Sequence, residues 1–123
     1  MNIIDSPAWL SYFADEPNSV HFQAAILEIE ALVVPVITIY EVFKVALRES
    51  SENDALQAVA AMQKGTVVDL TPNLAIAASK LSHQYTLPMA DSIILATAKQ
   101  YNATIWTQDI DFKDVPGVNY FPK

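Results

Sequence analysis

Apolar positions along the chain fall into two alternating patterns: short unbroken runs, and longer stretches spaced as on one face of a helix. Residues 1–5 read as a short apolar strand ending in an acid. Ser6-Pro7 then supplies a cap and first-turn signal for a helix holding Trp9, Leu10 and Phe13. A second helix is predicted over residues 19–30, a short buried strand over 31–34 before Pro35, and a helix over 37–49. Another helix is predicted over 53–63, a strand over 66–69, and a helix from Thr71-Pro72 to about residue 85. Leu87-Pro88 opens one more helix to about residue 101, followed by strands over 104–107 and 118–121. Strands that alternate with helices imply an α/β fold, a three-layer α/β/α sandwich around a central, mainly parallel sheet. Sites in such folds collect at the carboxyl ends of the strands.

The 123 residues show no repeat, low-complexity tract or linker, so a single domain spanning 1–123 is expected. Hydrophobic residues make up 52% and charged residues 17%, and the mean hydropathy is +0.22, which excludes a disordered chain. No apolar run reaches the ~18 to 20 residues of a membrane span. The opening Met-Asn-Ile-Ile-Asp lacks the basic flank of a secretory signal, so the expected compartment is the cytoplasm. The absence of cysteine removes disulfides, thiolate nucleophiles and cysteine zinc sites, and two histidines, His21 and His83, read as ordinary surface or partly packed residues. Carboxylates must therefore carry any chemistry. A net charge of −7 opposes phosphate binding unless cations, local Lys and Arg, or a second protein offset it.

Four acids stand out. Asp5 ends the first strand beside a helix N-terminus, where an anion is favoured, although a turn cap would look the same. Glu41 lies in Ile37-Thr-Ile-Tyr-Glu-Val-Phe-Lys-Val-Ala-Leu with apolar neighbours on almost every side; a buried acid needs a partner, and Lys44 or Arg48 is the structural alternative. Asp91 sits in the first turn of a helix of small and apolar residues, where it either serves a site or complements the helix dipole. Asp109 and Asp111 follow the strand 104–107, at the carboxyl edge again, or in a generic acidic turn. The topology sends Asp5 and Asp109 to one sheet edge, with helices supplying Glu41 and Asp91. Gathered carboxylates repel one another and are stable as anions mainly around a hard cation, for which oxygen ligands suit Mg²⁺ or Mn²⁺.

These segments resemble the PIN-domain family and, within it, the VapC-type toxins of prokaryotic toxin–antitoxin pairs. Ile3-Ile-Asp-Ser with Trp9 looks like the opening acid motif, and Val36-Ile-Thr-Ile-Tyr-Glu like the segment with the second acid. Leu87-Pro-Met-Ala-Asp-Ser-Ile-Ile-Leu-Ala-Thr-Ala is similar to the third block, and Thr107-Gln-Asp-Ile-Asp-Phe, with Pro116-Gly117 beyond, to the fourth. Each motif is loose singly, and the four in order are specific. The resemblance implies an endoribonuclease with Mg²⁺ or Mn²⁺ held by Asp5, Glu41, Asp91 and Asp109, with Asp111 a further candidate, and products bearing a 5′-phosphate. It implies that Ser6 and Thr107 orient carboxylates and that Lys44 and Arg48 meet RNA phosphate. It also implies a homodimer and a VapB-like antitoxin that occupies the site. Pro7 departs from the Asn or Ser many members carry there, so activity is expected to be reduced rather than lost.

Two alternatives stay open. One is an inactive PIN-like module that binds RNA or protein; the other is an aspartate-phosphorylated receiver domain, admitted by fold analogy alone. Trp9, Tyr12 and Phe13, at helical spacing, read either as core or as a partner surface.

Overall fold

A computed structural model describes residues 1–123. It contains β1 (Asn2–Ile4), α1 (Ser6–Phe13), α2 (Gln23–Leu27), β2 (Val33–Pro35), α3 (Val36–Glu49), α4 (Glu52–Met62) and β3 (Thr66–Val68). These are followed by α5 (Pro72–Tyr85), α6 (Met89–Tyr101), β4 (Thr104–Thr107) and β5 (Val118–Tyr120). Side-chain caps account for several helix starts: Asp5 accepts from the Ser6 N–H, Ser51 from that of Asp54, and Thr71 from that of Leu74. Helices α5 and α6 both stop at a residue in the left-handed conformation, Thr86 (φ 56°) and Asn102 (φ 51°).

All strand pairs are parallel. β1 pairs with β4, β4 with β5, and β2 with β3, while a single bridge between Asn2 and Leu32 joins the two groups into the order β3-β2-β1-β4-β5. The chain therefore builds outward from β1 in one direction, then returns across it to add β4 and β5. That reversal opens a crevice between the carboxyl ends of β1 and β4, the usual place for a ligand in a parallel sheet.

Period-two alternation assigns side chains to the two faces of the sheet. Ile3, Val33 and Ile105 pack with α5 and α6 through Leu74, Ala78, Ile94 and Ala98. Ile4 and Val34 face the other way, onto Trp9, Phe22, Ile26, Val42 and Met62. The result is the expected three-layer sandwich. Trp9 is buried and stacks on Phe13 with ring centroids 5.6 Å apart, so the aromatic stripe of α1 belongs mainly to the core. No helix is long and apolar enough to cross a membrane.

The predicted helix over 19–30 is the main departure. That stretch instead forms a 3₁₀ turn (Pro17–His21), the short α2, and a second 3₁₀ turn (Ile29–Ala31). Only Phe22, Ala25 and Ile26 supply a buried face, and Glu28 leaves the helical region at ψ 70°. Glu28 and Glu30 also place negative charge where the helix dipole is already negative.

Candidate metal centre

Asp5 directly follows β1 and is 1% exposed. Its Oδ1 accepts from the Ser6 backbone N–H at 2.8 Å and its Oδ2 from the Thr107 hydroxyl at 2.7 Å. Thr107, the last residue of β4, in turn accepts from the Asp109 N–H at 2.9 Å, and Asp109 Oδ1 accepts from the Asp111 N–H at 2.9 Å. The two strand ends are thus laced together at the crevice. Asp91 reaches it from the first turn of α6, a helix whose residues 91–98 are all buried.

One carboxylate oxygen from each of Asp5, Asp91 and Asp109 lies within 4.8 Å of the others. Burial raises the Asp5 carboxyl from 3.8 to about 7; hydrogen bonds from Thr107 and Ser6 oppose the rise, and repulsion from Asp109 and Glu41 adds to it. Burial likewise raises Asp91 to about 8, reinforced by repulsion from Asp5, Asp109, Asp111 and Glu41. No basic side chain compensates: the ion pairs of the protein, Arg48 with Glu49 and Lys123 with Glu16, involve none of these acids. Crowded, desolvated oxygen donors without a protein cation fit a hard divalent ion.

Glu41 stands beside this group rather than inside it. It is half-buried on α3, accepts from the Ser6 hydroxyl at 2.6 Å, and repels both Asp5 and Asp91. The open choice of Lys44 or Arg48 as its partner resolves to neither. Lys44 lies over the Tyr40 ring, 5.9 Å from its centroid, and Arg48 pairs with Glu49 at 3.3 Å on the surface. Asp111 is exposed at the rim, and Ser6 and Thr107 both bond to carboxylates. His21 and His83 are exposed, as expected, His21 stacking on Phe121 at 4.4 Å.

The model of the PIN domain family matches residues 3–118. The chain belongs to the PIN domain family. Among solved structures, a toxin-antitoxin complex from Klebsiella pneumoniae superposes with a TM-score of 0.83 at 22% identity, covering 100% of both chains. Mycobacterium tuberculosis VapC20, a sarcin-ricin loop cleaving toxin, gives 0.81 at 14% identity, over 96% of this chain and 97% of that one. DNA-bound VapBC from Salmonella typhimurium gives 0.77 at 16% identity, over 98% and 96%. A comparison with curated proteins found no match. At these identities the superpositions establish a shared PIN fold.

Sequence reasoning did not single out Gln108, the residue before Asp109, or its partner Asn18. Asn18 Nδ2 donates to Gln108 Oε1 at 3.2 Å and to the backbone oxygen of Phe121 at 3.1 Å, tying the C-terminal segment to the turn that carries Asp109. The position of Gln108, next to Asp109, was the one available signal.

Proposed function

We propose that this PIN domain is a Mg²⁺- or Mn²⁺-dependent endoribonuclease and the toxin of a VapBC-type pair. The gathering of Asp5, Asp91 and Asp109 within 4.8 Å at the sheet crevice, with no cation of the protein's own, carries the reading. Asp5, Asp91 and Asp109 would hold the metal, with Glu41 facing it from α3 and Asp111 at the rim. A bound divalent ion would supply an acidified water and charge neutralisation at a phosphodiester. Thr107 fixes the Asp5 carboxylate, and Ser6 holds both Asp5, through its N–H, and Glu41, through its hydroxyl. Lys44 and Arg48, on the solvent side of α3 beyond Glu41, are the cations that helix offers to RNA phosphate.

The antitoxin reading is supported by a cleft of about 830 Å³ between α1, α3 and α4. Leu10, Phe13, Val45 and Ala58 line it, with Glu49 and Asp54 also on its walls and Glu16 there beside Lys123, a combination suited to an amphipathic basic segment of a VapB-like partner. Homodimerisation in the cytoplasm completes the proposal. The deciding experiment incubates the purified protein with RNA, with and without Mn²⁺, beside Asp5→Asn and Asp91→Asn. Metal-dependent cleavage lost in both variants supports the reading; cleavage that survives both overturns it. Binding without cleavage by the intact protein would favour the inactive module.

A further inference from the structure

Helix α3 turns different sides to different surroundings. Val42 packs in the core, and Val45, Ala46 and Glu49 line the large cleft. Away from that cleft run Val36, Tyr40, Phe43 and Leu47, which fall within about 60° of one another at 3.6 residues per turn. Val36 is 37% exposed, Tyr40 62% and Leu47 47%, and Phe43 is half-buried, so the chain itself does not cover this stripe. Four large apolar side chains in a row facing water mark a contact surface.

Two properties of the stripe identify what covers it. Its intervals are four, three and four residues, which read the same from either end. In an antiparallel pair of α3 helices Val36 therefore meets Leu47 and Tyr40 meets Phe43, each twice, with the spacing of a coiled-coil seam. The second property is charge. Glu41 and Lys44 lie one turn apart on the same flank of the stripe, and a two-fold axis sets each flank against its own copy, which brings Lys44 of one chain alongside Glu41 of the other. Lys44 already leans toward this seam: its Nζ lies 5.9 Å from the Tyr40 ring centroid and forms no ion pair within its own chain.

We propose that the α3 stripe pairs with the same stripe of a second copy of this chain, and that each copy lends its Lys44 to the acid crevice of the other. The proposal deepens the homodimer reading by naming its surface, and the role of Lys44 rests on the ribonuclease reading. A single chain has no cation at its acids, and the second copy supplies one. Beside Glu41 that ammonium offsets carboxylate repulsion and adds positive charge where the phosphate of an RNA strand must approach a protein of net charge −7. The cleft lined by Val45 and Glu49 stays open on another side of the helix, so a second copy and an antitoxin do not compete for it.

Sedimentation of the metal-free protein, without RNA, tests the surface. Wild type should be dimeric at micromolar concentration. Tyr40→Asp and, at the end of the stripe, Leu47→Asp should each raise the dissociation constant at least about 100-fold, because symmetry buries the added charge twice. Val20→Asp, at an exposed apolar position outside α3, should leave it unchanged. Circular dichroism shows which variants are folded, and either stripe variant decides if the other is not. A monomeric wild type would leave the stripe to RNA or to an antitoxin, and a dimer that survives a folded stripe variant would be built on another surface; both overturn the proposal. Subunit mixing tests Lys44. Lys44→Ala alone should cleave RNA about tenfold more slowly. Mixed in equal amounts with inactive Asp5→Asn, it should recover about a quarter of wild-type activity, since half the dimers then hold one crevice with every acid and a neighbour's Lys44. Wild-type activity in Lys44→Ala, or a mixture no better than the sum of its parts, overturns the exchange. A wild-type protein that does not cleave refutes the nuclease while sedimentation still decides the surface.

Discussion

The Thr107 hydroxyl donates to Asp5 Oδ2 at 2.7 Å while accepting the Asp109 backbone N–H at 2.9 Å, so one side chain sets the distance between two acids that are 104 positions apart in the chain. It resides at the end of β4, opposite the end of β1, and is completely buried. Thr107→Val keeps the shape and removes both bonds. Metal affinity should fall about 10- to 100-fold, the usual consequence of losing a group that orients a ligand. Thr107→Ser, which restores the hydroxyl, should recover most of it. Calorimetric titration with Mn²⁺ measures both, and equal affinities for Val and wild type would remove Thr107 from the site.

The raised acids make the metal-free protein sensitive to alkali. Asp5 and Asp91 ionise near 3.8 when unfolded, and at about 7 and about 8 when folded. The folded state therefore holds their protons more tightly. The stability this confers is fully present below about pH 4 and is lost as the pH rises toward about 8. Melting in EDTA should fall between about pH 5 and about pH 8, and Mn²⁺ should restore it most at the alkaline end, where the ligands are already deprotonated. A melting temperature that rises across this window would contradict the assignment.

Asp91→Asn separates stability from function. It removes one of three crowded carboxyl groups, whose oxygens lie within 4.8 Å of one another and whose repulsion when ionised is on the order of 1 kcal/mol even in a water-like medium. The metal-free variant should melt roughly 3–5 °C higher than wild type at pH 8. It should also lose the stabilisation that Mn²⁺ gives wild type, together with nuclease activity. Thermal melts in EDTA and in Mn²⁺ provide the comparison, and a variant that melts lower in EDTA would show that Asp91 is not strained by its neighbours.

Much of this arrangement was legible in the chain because the acids interrupt apolar segments. Asp5 and Asp109 follow strands whose burial is set by Ile3, Ile4 and Ile105, and Asp91 has no solvated helix face, as the continuous burial of residues 91–98 bears out. The partner of Glu41 was not legible. Helical spacing reveals only neighbours on the same element, which pointed to Lys44 and Arg48, whereas the Ser6 hydroxyl arrives from α1, 35 positions away. The Asn18 to Gln108 contact spans 90 positions, and Asn18 stands just before the segment read as the second helix. Its geometry depends on Phe121 and Pro122 at the far end of the chain, which no local pattern reports.

Gly65 offers a test of the fold that leaves the acids alone. It ends the turn between α4 and β3, where the Leu32 carbonyl accepts the Thr66 N–H at 2.9 Å, beside the bridge from Leu32 to Asn2 that joins β2 to β1. A Cβ at Gly65 would lie 2.9 Å from the Leu32 carbonyl oxygen and 3.0 Å from Leu32 Cγ. The first is closer than real Cβ contacts come and the second is tighter than most, and Leu32 is buried with its backbone committed to the sheet, so the turn must move instead. Gly65→Ala should cost about 1–3 kcal/mol, in the range of core overpacking. Urea denaturation should show a lower midpoint, while Mn²⁺ affinity per folded molecule stays at the wild-type value, because the acids stand at the ends of β1 and β4 and on α6. An unchanged midpoint would mean that β2 and β3 can separate without loss, and that the sheet is secured by β1, β4 and β5 alone.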